Sequence, residues 1–212
     1  MNKMYKYPRT YHVPWSNHTN EDKVIQSMDY FINREVIVTE KLDGENWTIY
    51  KDGQHARSLE PQYNDYQSML YSQIANFQYM IPDGWRICVE YMYAKHSIYY
   101  EDLRNYLYVT SIWNESNYCY PFNVTLALCK VFGLTTPNVI YKGIYNEDYI
   151  KSAFETYQYS MNREVEGYVI KRNEEFAFED FSKYVAKWVR PNHVQTDEHW
   201  KYSKKEYNKL YE

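Results

Sequence analysis

The chain has 212 residues, with 24 basic and 28 acidic side chains and a net charge of -4. That length allows one good core or two small ones, and that charge excludes a protein that coats duplex nucleic acid by basic surface alone. Three cysteines (Cys88, Cys119 and Cys129) make no CxxC and suit a reducing cytosol, and no apolar run approaches ~18 residues, so neither a signal peptide nor a membrane span is expected.

Residues 21–32, EDKVIQSMDYFI, read as a short amphipathic helix with acidic residues in its first turn. The β-branched run 35–40 reads as a strand, and 46–59 as a hairpin around Asp52-Gly53. A helix is predicted over 65–80, ending before Pro82, and strands over 84–93 and 105–113. A second helix spans 123–133, with Gly133 placed to end it. A strand at 138–143, a helix at 146–158 and strands at 166–172 and 183–190 follow. Residues 191–212 are polar and expected to be partly helical. His193 and His199 there are six apart without cysteine partners, so no zinc site is expected. Antiparallel strands with interspersed helices predict an α+β fold, with one domain over 1–190 and a short tail over 191–212.

Lys41-Leu42-Asp43-Gly44 is a KxDG at the end of the strand at 35–40. A chain of this length carries one by chance about one time in twenty, and a strand-end lysine is usually solvated. Four further pieces follow in order: HARS with Arg57, CVEYMY with Glu90, EGYVIK with Glu166, Gly167 and Lys171, and KYVAKWVR with Lys187. Together they resemble the covalent nucleotidyltransferase superfamily of ATP-dependent RNA ligases, DNA ligases and mRNA capping enzymes. The resemblance is closest to small phage-type and bacterial RNA ligases and runs nearly end to end.

This resemblance implies an antiparallel-sheet nucleotidyltransferase (adenylyltransferase) core of the ATP-grasp-like ligase type. Only 22 residues follow Arg190, too few for the OB barrel of DNA ligases and capping enzymes. No C-terminal OB domain is therefore expected, and those two activities are disfavoured. The implied reaction is ATP-dependent RNA ligation. Lys41 attacks ATP to give lysyl-AMP, AMP passes to an RNA 5′-phosphate, and a 3′-hydroxyl then displaces it. At a pKa of ~10.4, well under ~0.1 % of a lysine is free base at pH 7. Desolvation and a nearby cation, Mg²⁺ or Mn²⁺, must therefore activate Lys41, because a carboxylate neighbour alone shifts it the wrong way.

Residue by residue, the resemblance implies that Asp43 turns towards a metal-bound water or the ribose, while Gly44 lets the chain pass close to the nucleotide. Glu40 helps to read adenine, and Glu90 accepts a ribose hydroxyl. Arg57 contacts a phosphate of the nucleotide or of the RNA end. Glu166, with Asp43, is the metal ligand. Lys187 stabilises the α-phosphate and Lys171 is a further phosphate contact.

Two positions depart from the family pattern. The second cation beside Lys187 is replaced by Val185 and Val189, leaving Lys183 or Arg190. Thr110 and Ser111 stand where the adenine-stacking aromatic belongs, leaving Tyr108 or Trp113. Lys95, His96 and Ser97 in YAKHSIYY are expected along the path of the RNA end or pyrophosphate. The implied partner is RNA with 5′-phosphate and 3′-hydroxyl ends, in the cytoplasm (a host's, for a phage-encoded chain). No membrane is involved, and a partner protein could add substrate grip. Oligomeric state stays open. The competing reading is a non-catalytic module that keeps the pocket and binds nucleotide or RNA ends.

Overall fold

Alternation in EVIVTEK decides the first layer: Val36 and Val38 enter one core, while Ile37, Thr39 and Lys41 face a cleft on the other side of the strand. The computed structural model describes residues 3–59, 65–191 and 206–211. In chain order the strands are β1 (Tyr11–His12), β2 (Glu35–Lys41), β3 (Glu45–Tyr50), β4 (Gly53–Ala56), β5 (Arg86–Tyr91), β6 (Leu107–Trp113), β7 (Tyr118–Cys119), β8 (Val139–Ile144), β9 (Gly167–Arg172), β10 (Phe176–Ala177) and β11 (Val185–Val189). The helices are α1 (Gln67–Ile74), α2 (Phe122–Phe132), α3 (Glu147–Ser160) and the single turn α4 (Phe181–Tyr184).

These strands form two sheets, ordered β1-β11-β9-β2-β8 and β10-β7-β6-β5-β3-β4. All pairings are antiparallel except β1 with β11. The outer face of the first sheet packs Val36, Val38, Tyr168 and Ile170 against Ile150 and Phe154 of α3. In the second sheet, Trp47, Ile49, Ile87 and Val89 pack against Leu70 and Ile74 of α1 and Cys129 and Phe132 of α2. The inner faces of the sheets enclose the cleft. The mixed, mainly antiparallel α+β architecture is the one expected. All three cysteines are free and buried, and no described helix is long and apolar enough to cross a membrane.

Most predicted elements are present with ends shifted by a few residues. Gly133 ends α2 at φ 68°, and the Asn146 side chain caps α3 by accepting the Tyr149 amide. The helix expected at 21–32 is not formed. Asp22 there accepts the Thr19 amide and hydroxyl, at 3.0 Å each, and pairs with Arg9. The Ile25 amide donates to His12 and the His12 amide to Lys23, so the segment adds to β1. Strand-like bonds to a neighbour outweigh a weak local helical preference. Only Asp29–Phe31 forms a 3₁₀ turn.

The helix expected at 65–80 ends at Ile74, and the Gln78 side chain instead donates to the carbonyls of Tyr50 and Gly53. The strand expected from 183 begins at Val185, after α4. Of the tail, residues 206–211 are extended and bridge Ala94 and Leu103. Residues 192–205, with His193, His199 and the basic KYSKK, lie outside the described residues.

Candidate active site

Register brings the cleft residues together. In the β2–β9 pair Lys41 stands opposite Gly167 and Thr39 opposite Val169, and in the β9–β11 pair Val169 stands opposite Lys187. Lys41 and Lys187 therefore project from strands on either side of β9 into one space. A side chain at Gly167 would put its Cβ 2.0 Å from the Trp188 carbonyl oxygen, so only glycine lets β9 and β11 close here. Across the cleft, β3 supplies Asn46 and β5 supplies Glu90. Gly44, between β2 and β3, passes so near β5 that an added Cβ would lie 2.6 Å from the Tyr91 carbonyl oxygen and from Met92 Sδ. Its amide donates to Glu90 at 3.3 Å.

The centre of the site is an ion pair. Lys41 Nζ donates to Glu166 Oε2 at 2.5 Å, with the Glu166 side chain buried. Burial works against the charge on Lys41, yet Glu166, Glu90 and Asp43 outweigh it and hold the ammonium above its ordinary value. Burial raises the Glu166 carboxyl despite Lys41 beside it. Burial, reinforced by Glu166 and Asp43, pushes Glu90 up to about 7 against the pull of Lys41. Lys187 moves the other way: burial, together with Lys41 and Arg57, lowers it to about 8, opposed by Asp22 and Glu166.

Asp43 is engaged differently. Its Oδ2 accepts the Ser97 amide at 2.7 Å, the Ser97 hydroxyl at 2.6 Å and the Ile98 amide at 3.0 Å. Burial opposes its charge, but the Ser97 bonds and Lys41 keep the carboxyl below its ordinary range.

Two cavities meet at this point. The narrower one runs between the sheets and is lined by Ile37, Val169 and Val185 from the first sheet, Thr110 and Ser111 from the second, and Phe122, Phe181 and Pro137. The more open one is edged by Arg9, Arg57, Asp22 and His96. Lys41, Lys187, Glu90, Asn46, Tyr7 and Thr10 line both.

The structure thus brings Lys41, Gly44, Arg57, Glu90 and Lys187 to the cavities, with Glu166 adjoining them through its Lys41 contact and Asp43 acting on Lys41 through its charge. Lys171 reaches the narrow cavity, where its ammonium donates to Cys119 Sγ at 3.1 Å and to the Tyr120 carbonyl at 3.4 Å. Glu40 borders that cavity from β2, but its carboxylate is buried behind it. There it pairs with Arg163 at 2.6 Å and accepts the Tyr157 hydroxyl at 2.6 Å.

Tyr108 is not among the lining residues. Its ring packs with Leu42, Met92 and Tyr100, and its hydroxyl accepts the Arg104 amide. Trp113 packs among Phe176, Phe178 and Phe181. Lys183 pairs with Asp180 and Arg190 with Glu164. The aromatic rings that do line the narrow cavity, Tyr7, Phe122 and Phe181, come from segments without a motif. Only their non-local packing places them, with Tyr7 and Phe181 edge to face at 5.5 Å. Of the loop residues, His96 edges the open cavity, Ser97 clamps Asp43 and Lys95 pairs with Glu206.

No group of three or more His, Cys, Asp or Glu among the described residues is arranged to hold a metal alone. Glu166 and Glu90 nevertheless present hard oxygen donors whose mutual repulsion a divalent cation would relieve. Such an ion needs only one or two carboxylates when phosphate oxygens complete its shell.

Residues 34–189 match the RNA ligase family model. No curated protein matches the chain. Among solved structures, a mutant of the Naegleria gruberi RNA ligase in its apo form superposes with a TM-score of 0.53 and 17% identity, covering 79% of this chain and 52% of that one. The same ligase with PPi gives 0.52 and 16%, over 91% and 62%. An archaeal ATP-dependent RNA ligase gives 0.50 and 16%, over 77% and 44%. At these identities the likeness is one of fold, and the chain spans about half the length of the first and last of these ligases.

Proposed function

This chain belongs to the RNA ligase family, and on that premise we propose that it joins RNA 5′-phosphate and 3′-hydroxyl ends at the expense of ATP through a covalent lysyl-AMP on Lys41. The observation that carries the reading is the Lys41–Glu166 pair with Lys187 and Glu90 around it, at the junction of an apolar slot and an open cationic mouth. The slot suits a purine, and the mouth, with Arg57 and Lys187, suits phosphates.

In the first step the Lys41 amine, once deprotonated, attacks the α-phosphorus of ATP and pyrophosphate leaves. Lys187 faces the same space and offsets the charge that builds on the α-phosphate oxygens. In the second step an oxygen of the RNA 5′-phosphate displaces lysine and takes AMP. In the third a 3′-hydroxyl attacks that phosphate and AMP departs.

Lys41 begins as an ammonium held by three carboxylates, so its activation requires that their charge be engaged elsewhere. Glu166 is the residue that would meet a divalent cation. Asp43 sits beside it with Oδ1 as the oxygen outside the Ser97 clamp. Such a cation, when bound, supplies positive charge that lowers the amine pKa and neutralises phosphate oxygens. Arg57 would grip a phosphate at the open mouth. Lys171, at the far end of the slot, and the Glu40–Arg163 pair behind β2 would shape the base pocket.

Incubation with α-labelled ATP and Mg²⁺ or Mn²⁺ tests this. Label should survive denaturation in the wild type and be absent in Lys41→Ala, and 5′-phosphorylated RNA should then be sealed. Absence of label across pH and metals, in protein shown by mass to carry no AMP beforehand, leaves only a nucleotide- or RNA-end-binding module.

A further inference from the structure

We propose that residues 206–211 form a strap that positions the nucleophile, with Asn208 as its positioning residue. The inference rests on Lys41 being the nucleophile. The strap lies outside the matched residues 34–189.

Asn208 is a polar residue with only 2% of its surface exposed. Its side-chain amide ties together two arms of one loop. Nδ2 donates to the Met92 carbonyl at 2.7 Å and to the Ala94 carbonyl at 3.4 Å, while Oδ1 accepts the Tyr100 amide at 3.0 Å. A carboxamide offers donors and an acceptor in fixed geometry, and no apolar residue could do this.

The strap backbone repeats the pattern. The Lys95 amide donates to Glu206 and the Asn208 amide to Tyr93, both at 2.9 Å. On the other arm the Lys209 amide donates to Tyr100 at 2.9 Å and the Leu103 amide to Lys209 at 3.1 Å. Tyr207 stacks on Tyr93 at 4.5 Å, and the Tyr106 hydroxyl donates to the Asn208 carbonyl.

Between those two arms lie Ser97 and Ile98, whose amides hold Asp43 Oδ2. Tyr100 adds its hydroxyl, which accepts the Asp43 amide at 3.1 Å. Asp43 is two residues from Lys41 and one of the carboxylates that set its charge. The chain of contacts therefore runs from Asn208 through the loop to Asp43, whose charge acts on the amine two residues away. Loosening the first link lets the Asp43 carboxylate leave its three donors and moves the turn that directly follows Lys41.

The strap acts on attack by Lys41. Sealing of RNA that already carries AMP on its 5′-phosphate needs no attack by lysine, so the two half-reactions separate positioning from general loss of structure.

The variants are Asn208→Asp, which keeps the acceptor for Tyr100 and removes the donor, and Asn208→Ala. In both, amide hydrogen exchange at Ser97 and Ile98 should speed up. Lysyl-AMP formation at saturating ATP should fall about 10- to 100-fold, the scale of a small misplacement of a reacting group. Sealing of chemically pre-adenylated RNA should stay within about threefold of wild type. Unchanged exchange, unchanged lysyl-AMP formation, or an equal loss of both half-reactions in Asn208→Asp overturns the strap. A wild type that forms no lysyl-AMP overturns the ligase reading instead, while the exchange measurement still decides whether Asn208 governs the Asp43 clamp.

Discussion

Lys41 Nζ and Glu166 Oε2 lie 2.5 Å apart although 125 residues separate them in the chain. The pair exists because β2 and β9 are neighbours and Lys41 stands opposite Gly167, next to Glu166. It holds the proposed nucleophile in the protonated form that cannot attack. The resting site is thus poised rather than active, and Glu166 guards the amine until its charge is engaged elsewhere.

Glu166→Gln should therefore have two opposite effects. Lys41 loses its strongest anionic neighbour, so its pKa falls, and an amine-reactive acylating reagent should modify it faster than in wild type at pH 8. Lysyl-AMP formation should nevertheless drop by at least ~10²-fold, because the variant lacks the carboxylate proposed to meet the cation. Mass spectrometry of the acylated peptide and α-labelled ATP read the two effects. If both rates fell together, the proton-holding role of Glu166 would be wrong.

Glu90 links the site to stability. Its folded-state pKa of about 7 lies above the ordinary 4.5. The folded protein thus keeps a proton that the unfolded chain releases between those values. The stabilisation is complete below pH 4.5 and is lost as pH rises through about 7. That gap corresponds to at most ~3 kcal/mol. Glu90→Gln removes the titration while keeping an acceptor for the Gly44 amide. Urea unfolding at pH 5 and pH 8 should show wild type losing stability relative to Glu90→Gln at the higher pH. A gain would mean that Glu90 stays ionised throughout.

Gly167 is the structural counterpart of the chemistry. Alanine there places a Cβ 2.0 Å from the Trp188 carbonyl, which is backbone and cannot rotate away. Gly167→Ala should cost several kcal/mol, on the order of 3 or more, by forcing β9 and β11 apart. It should also separate Lys187 from Lys41. Thermal unfolding checks the first effect. An unchanged melting temperature would show that the strands accommodate the methyl group.

What could be read from residue order divides along physical lines. Lys41, Glu90, Glu166 and Lys187 are legible through the ordered motifs that carry the family resemblance, and period-two geometry with antiparallel pairing brings those positions into one cluster. Residues 21–32 were misread because their spacing is truly amphipathic. Ile25 and Phe31 are buried as the helix reading required, but Asp22 is spent on Thr19 and Arg9, and the backbone bonds to β1. Asn208 gave no local signal at all, since its role lies in carbonyls and an amide more than a hundred residues away. Tyr108 was a reasonable candidate by alternation, yet Arg104, four residues earlier, takes its hydroxyl and the ring stays in a core.

The buried ion pair behind the narrow cavity makes a contrasting prediction. Arg163 pairs with Glu40, whose side chain is 1% exposed, and stacks over Tyr100 at 4.5 Å. Arg163→Ala strands a buried carboxylate and should destabilise the protein by about 3–5 kcal/mol. Adding Glu40→Gln should recover part of that loss. Denaturant unfolding of the single and double variants gives the coupling, and simple additivity would mean that the pair contributes nothing specific.

Lys187 sets the alkaline limit. Burial and the neighbouring Lys41 lower it to about 8, so in the free protein its charge fades while Lys41, held above its ordinary value, still keeps its proton. The rate constant for lysyl-AMP formation at low ATP should rise with pH as the small free-amine fraction grows, then level off near pH 8 as Lys187 discharges. Such a break reports the coupled pair in the free enzyme. Arginine stays charged throughout this range. In Lys187→Arg the rise should continue for more than one pH unit past that break, even if the larger guanidinium lowers the rate. Lys187→Met should lose about 10²–10³-fold below pH 8, where wild-type Lys187 is charged, as expected when a charge-stabilising group is removed. A break that stays near pH 8 in Lys187→Arg would assign it to another group.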